Sequence, residues 1–125
     1  MIDAQEIQAW ANAYIEAQSL PKSPDIDDPL WWPIQKFFDL EFDDSESIWV
    51  AILLIIEKTS SQKVVGVLAA GPLEDLIEDH GPQWIDRIEL EARRNPKFRY
   101  LLGGVWQSST PEIWARVEKA RVSSW

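Results

Sequence analysis

"IWVAILLII" (residues 48–56) is the longest apolar run in the chain, and its reading decides the fold. Nine residues fall well short of the ~20 that a membrane-spanning helix needs, so the run belongs to a core. A strand buried on both faces and a helix apolar nearly all round both fit such a run. Its β-branched content favours the strand. Ala51, Leu53 and Leu54 dilute that content, however, and no other segment reads as a partner strand. The expectation is a helix over about 46–58, opened by the cap-rich "DDSES" (43–47) and central to a bundle.

The flanking segments carry helical signals too. Asp3 with Glu6 three residues on resembles a capping box, and Ile7, Trp10, Ala11, Tyr14 and Ile15 then form one face. "SLPKSPDIDDP" (19–29) reads as a loop. A second helix opens at Pro29 or Pro33, with Ile34, Phe37, Phe38 and Phe42 on its apolar side. "TSSQ" (59–62) caps a fourth helix that ends at Gly71. Gly71-Pro72 and Gly81-Pro82 each read as a helix-ending glycine followed by a helix-starting proline. Asn95-Pro96 and Thr110-Pro111 open two more helices, and Gly103-Gly104 closes the first of these. The fold class is all-α: one domain over 1–125, a compact bundle of six to seven short helices, with HEAT-like antiparallel pairs as one arrangement.

The chain contains no cysteine, which excludes disulfides, thiolate metal sites and a Cys nucleophile. "MIDAQEIQAW" at the start is acidic and polar rather than a secretory signal, so a cytoplasmic, membrane-free protein is expected. The net charge of −9 sits in one half. Residues 1–62 hold twelve acids and three bases, whereas 63–125 hold nine of each. Within 25–46, eight acids face Lys36 alone. Such a block attracts a basic surface and repels phosphate. Eight tryptophans are many for this length; most should lie in the core, and a surplus left exposed would mark an interface.

The stretch most like chemistry is "GPLEDLIEDHGP" (71–82), with the chain's only histidine. On a straight helix, His80 lies on the apolar face with Leu73, Leu76 and Ile77. Glu74, Asp75, Glu78 and Asp79 fall on the opposite side. They therefore cannot share a ligand or proton with it, and no metal is expected there. Nearby, Glu89 and Arg93 stand in a favourable i,i+4 pair, and Glu91 with Arg87 reads as a half-buried pair. "RRNPKFRY" (93–100) is the most basic segment, but Glu89 and Glu91 beside it argue against nucleic acid. Nothing matches a phosphate loop, a zinc-metalloprotease motif, a nucleophile elbow or a Ca²⁺ loop, so no cofactor is implied.

Across 68–107 the chain resembles a bacterial family known only as a domain of unknown function. The resemblance rests on the Gly71-to-Leu76 run and on His80-Gly81. It extends through Ile85-Asp86-Arg87, Glu89, Ala92-Arg93, Pro96, Phe98 and Val105-Trp106. It covers about a third of the chain and implies no activity or ligand. Two functional classes fit the residues. One is a small acidic interaction module, of inhibitor or immunity type, that occludes a basic partner surface through Asp27, Asp28, Trp31, Trp32, Asp43 and Asp44. The other is a carboxylate-dependent, metal-assisted hydrolase. It would use Glu74, Asp75 and Glu78 with Glu89 and Glu91, with His80 nearby. The charge asymmetry and the missing catalytic motifs favour the interaction module. The sequence leaves the oligomeric state open.

Overall fold

A computed structural model describes residues 1–121 and 123–125. The α-helices are α1 (Ala4–Gln18), α2 (Trp32–Leu40), α3 (Ser45–Lys58), α4 (Gln62–Leu68), α5 (Glu74–Arg94), α6 (Pro96–Leu102) and α7 (Pro111–Arg121). A 3₁₀ turn, Pro29–Trp31, leads into α2, and a π-helical segment, Ala69–Leu73, joins α4 to α5. Among the described residues there is no strand, so the fold is all-α, and 48–56 lies inside α3. No helix among them is long and apolar enough to cross a membrane. The chain forms two compact units, Met1–Val67 and Leu68–Trp125.

In the first unit, α1 packs on α3 and α2. Asp3 caps α1 by accepting from the Glu6 N–H at 2.9 Å, as the sequence signals. Asp44 caps α3, accepting from the Ser47 N–H at 3.1 Å and the Ser47 hydroxyl at 2.7 Å. These bonds to the ionised form, the hydroxyl first, hold the Asp44 carboxyl below its ordinary range. The α3 core residues are Ile48, Trp49, Ala51, Ile52, Ile55 and Ile56, while Val50, Leu53 and Leu54 are half-buried. Apolar residues on every side suit a helix with neighbours all round. Trp10 of α1 is fully buried. Its indole N–H donates to the Pro33 carbonyl at 2.9 Å, and its ring lies 4.5 Å from that of Phe37, centre to centre.

Two expectations about the apolar side of α2 need correcting. Phe37 is buried, but Phe38 is 54% and Phe42 71% exposed. Adjacent helical residues point about 100° apart, so seating Phe37 against Trp10 turns Phe38 outward. Phe42 lies beyond the helix, which ends at Leu40.

In the second unit, α5 packs on α7 and α6. Its buried residues include Trp84, Ile85, Ile88 and Ala92 of α5, Phe98, Leu101 and Leu102 of α6, and Ile113, Trp114 and Val117 of α7. Asn95 caps α6 by accepting from the Lys97 and Phe98 N–H groups at 3.1 and 3.3 Å. Thr110 caps α7 through the Ile113 N–H at 3.3 Å.

Gly71 and Gly81 do not end helices as expected. No glycine among the described residues has the positive φ that a helix-ending glycine takes up. Pro72 is absorbed by the wider π turn, and Pro82 by a kink at His80, whose φ is −135° and ψ 21°. Both devices relieve a proline's missing N–H and ring clash without breaking the helical path.

The role of Gly81 is close approach. A Cβ there would stand 2.7 Å from the Ser109 hydroxyl and 2.9 Å from Ile113 Cγ2. Gly81→Ala should therefore overpack the contact between α5 and the start of α7 and cost about 1–3 kcal/mol. Urea unfolding measures this. An unchanged midpoint and slope would show that the contact gives way freely.

Candidate functional site

The segment from Asp27 to Asp44 carries the six residues that the sequence marks for partner binding. Asp28 accepts from the Leu30 N–H at 2.8 Å and caps the 3₁₀ turn, as Asp44 caps α3. These two nominated acids therefore do structural work. Asp27 and Asp43 are exposed. Trp31 is half-buried, and its indole N–H donates to Gln35 Oε1 at 3.0 Å. The Gln35 amide in turn donates to Asp39 Oδ1 at 2.9 Å. Residues 31, 35 and 39 thus form one line along α2 at i, i+4 and i+8, with Phe38 beside it. Trp32 is 43% exposed.

Lys36, the only base within 25–46, is withdrawn from this surface. Its Nζ lies 4.0 Å from Glu6 and 5.7 Å from the Trp10 ring centre, both on α1. Around it Trp32, Phe38 and Phe42 are exposed, and so are Asp27, Asp39 and Asp43. Phe38 and Phe42 escaped the sequence reading because both were assigned to the core side. For Phe38 the available signal was its place beside Phe37, because adjacent helical residues point about 100° apart and cannot both face one core.

Of the alternative carboxylates, all in the second unit, Glu74, Glu78, Glu89 and Glu91 are held by separate partners. Glu74 Oε1 accepts from the Trp106 N–H at 3.0 Å, and Glu78 Oε2 from the Ser109 N–H at 2.6 Å. One turn apart on α5, these two side chains anchor the loop between α6 and α7. Within that loop Ser109 has a φ of 64°, a left-handed conformation uncommon outside glycine. Glu89 is gripped by Arg116 of α7 through bonds of 3.0 and 2.6 Å, and Asp86 shares the same guanidinium at 2.6 Å. Hydrogen bonding from Arg116 lowers the Glu89 pKa and raises that of Arg116. Glu91 is buried and accepts from Arg94 at 2.7 Å and Asn95 at 3.0 Å, while Arg87 stacks over Trp84 at 4.4 Å. His80 is half-buried at the kink. Among the described residues, no three His, Asp or Glu side chains group closely enough to hold a metal ion.

A cavity of about 360 Å³ opens between the α6–α7 loop and α7, lined in part by Gly104, Trp106, Trp114, Glu118, Arg121 and Trp125. Arg121 spans one wall, donating to the Val105 carbonyl at 3.0 Å and lying 5.0 Å from the Trp114 ring centre.

Residues 21–125 match the model of the Family of unknown function (DUF6869), and the chain belongs to that family. The matched span takes in the aromatic and acidic surface of α2 together with α5, α6 and α7. No curated protein and no solved structure matches the chain.

Asp75 offers a pH test of the carboxylate face. Desolvation first, then repulsion from Asp79 and Glu74, raises its pKa. Its ionised form therefore destabilises the fold above the folded-state pKa, and protonation relieves the penalty as pH falls through that value. Asp75→Asn should raise the melting temperature at neutral pH, with the gain shrinking toward about pH 4. Calorimetry across that range measures it. A loss of stability at neutral pH would mean that the charge has a cationic partner.

Proposed function

We propose that the chain is a protein-interaction module whose α2 surface binds a partner with a basic, pocketed surface. One observation carries this: Trp32, Phe38 and Phe42 stand exposed in an acid-rich segment, while its lysine is drawn toward α1. A surface that serves solubility alone needs charge but gains nothing from aromatic rings in water. Aromatic anchors ringed by charge are what a binding surface needs. The rings supply apolar area, and the acids steer encounter and reject acidic partners. The narrower form is an inhibitor or immunity-type protein, which acts by covering a basic surface and requires no chemistry of its own.

The hydrolase alternative draws less support, because Glu74, Glu78, Glu89 and Glu91 already accept hydrogen bonds from loop amides, arginines or Asn95. A hydrolytic centre needs carboxylates that converge on a shared site.

The test has two arms. Wild type and a Trp32→Ser/Phe38→Ser variant serve as baits in a lysate of the source cell, and partners retained only by wild type are purified. Association rates are then measured against ionic strength for wild type and for Asp27→Asn/Asp39→Asn/Asp43→Asn, which spares both capping acids. The triple variant should associate about tenfold more slowly at low salt and show a flatter salt dependence. Equal retention by both baits, or equal rates at every salt concentration, would refute the assignment.

A further inference from the structure

Helices α5, α6 and α7 border a second cavity, of about 310 Å³. Glu89, Ala92 and Arg93 of α5 line it, with Arg99 of α6 and Lys119 and Ala120 of α7. Three bases thus converge from three helices against one acid. That acid is already satisfied. Arg116 holds Glu89 through two short bonds, 3.0 and 2.6 Å, and keeps it ionised. The excess positive charge of Arg93, Arg99 and Lys119 therefore stays with the cavity. Ala92 is buried and Ala120 half-buried, so two small apolar side chains border the same hollow.

The basic stretch 93–100 is divided by the fold. Arg93 and Arg99 turn to the cavity, while Arg94 bonds Glu91 at 2.7 Å. A nucleic-acid track would need its cations strung along a continuous stripe, whereas these close on a hollow at the small end of the ligand-pocket range, roughly 300–1,000 Å³. Planar guanidinium groups match phosphoryl oxygens in a two-pronged fork, and a lysine adds a point charge. We propose that this cleft binds a small, free phosphorylated ligand, a phosphate monoester or a pyrophosphate. Arg93 and Arg99 contact its oxygens, Lys119 balances the second negative charge, and Ala92 and Ala120 border its uncharged part. The site is independent of the α2 surface.

Inorganic pyrophosphate serves as the probe, titrated into the ¹⁵N-labelled full chain at ionic strength held constant with sodium chloride. Amides at 89–93, 99 and 119–120 should shift saturably. Arg99→Ala should weaken binding about tenfold, as loss of a charge-assisted hydrogen bond implies, and Arg99→Lys should restore part of it. Lys119→Ala, at an exposed position, should weaken binding as well and keeps the test valid if Arg99→Ala unfolds. Lys58→Ala, outside the cavity, should leave affinity unchanged. Phosphatidic-acid vesicles and a single-stranded oligonucleotide form the comparison arms. Absence of saturable shifts, affinities unaltered by the cavity variants, or binding confined to vesicles or to the oligonucleotide would each overturn the proposal.

Discussion

The buried indole of Trp10 is the fixed point from which the α2 surface follows. A large ring loses contact with water, and its one polar atom finds the Pro33 carbonyl at 2.9 Å. That carbonyl belongs to the first turn of α2, so the bond fixes where the helix begins against α1. Phe37 completes the seat, 4.5 Å from Trp10 and 5.1 Å from Tyr14. Aromatic contacts of this kind add about 0.5–1.5 kcal/mol each beyond the area they bury. With Phe37 inside, the helical period leaves Phe38 outside. The exposed ring is thus a geometric consequence of the buried one.

Much of the fold could be read in the sequence where the signal was local. Asp3, Asp44, Asn95 and Thr110 each bond backbone N–H groups two or three residues ahead, and short polar side chains before a helical period announce that. The apolar run 48–56 was read as a helix, and α3 carries it. The Gly-Pro pairs misled because proline reports a missing N–H without saying how the chain accommodates it. A π turn and a kink both do so without a stop. What escaped altogether was long-range. Glu74 and Glu78 fall opposite the apolar side of their helix by sequence, yet they anchor loop amides more than thirty residues away. Glu89 looked like a local partner for Arg93, and its close partner is Arg116 of α7. Periodicity assigns a residue to a side of its helix. It does not say which loop or helix arrives there.

Charge separates two kinds of surface. In the first unit acids dominate, the lone base of 25–46 is turned toward α1, and aromatic rings of that segment are left exposed. In the second unit most acids are committed to arginines or loop amides, which leaves three bases around a hollow. A net charge of −9 conceals both arrangements, because it averages over them. Functional surfaces commonly give up stability for chemistry that the fold does not need.

The central claim is that the exposed rings of Phe38 on α2 and Phe42 just beyond it serve a partner more than the fold. Thermal unfolding of the Phe38→Ser/Phe42→Ser double variant tests it without any partner in hand. Rings that are 54% and 71% exposed contribute little burial, so the melting temperature should stay within a degree or two of wild type, or rise. For a chain of this size, a fall of roughly 5 °C or more would mean that about 1 kcal/mol or more of folding energy resides in those rings. In that case they belong to the core, and the account of α2 as a binding surface is wrong.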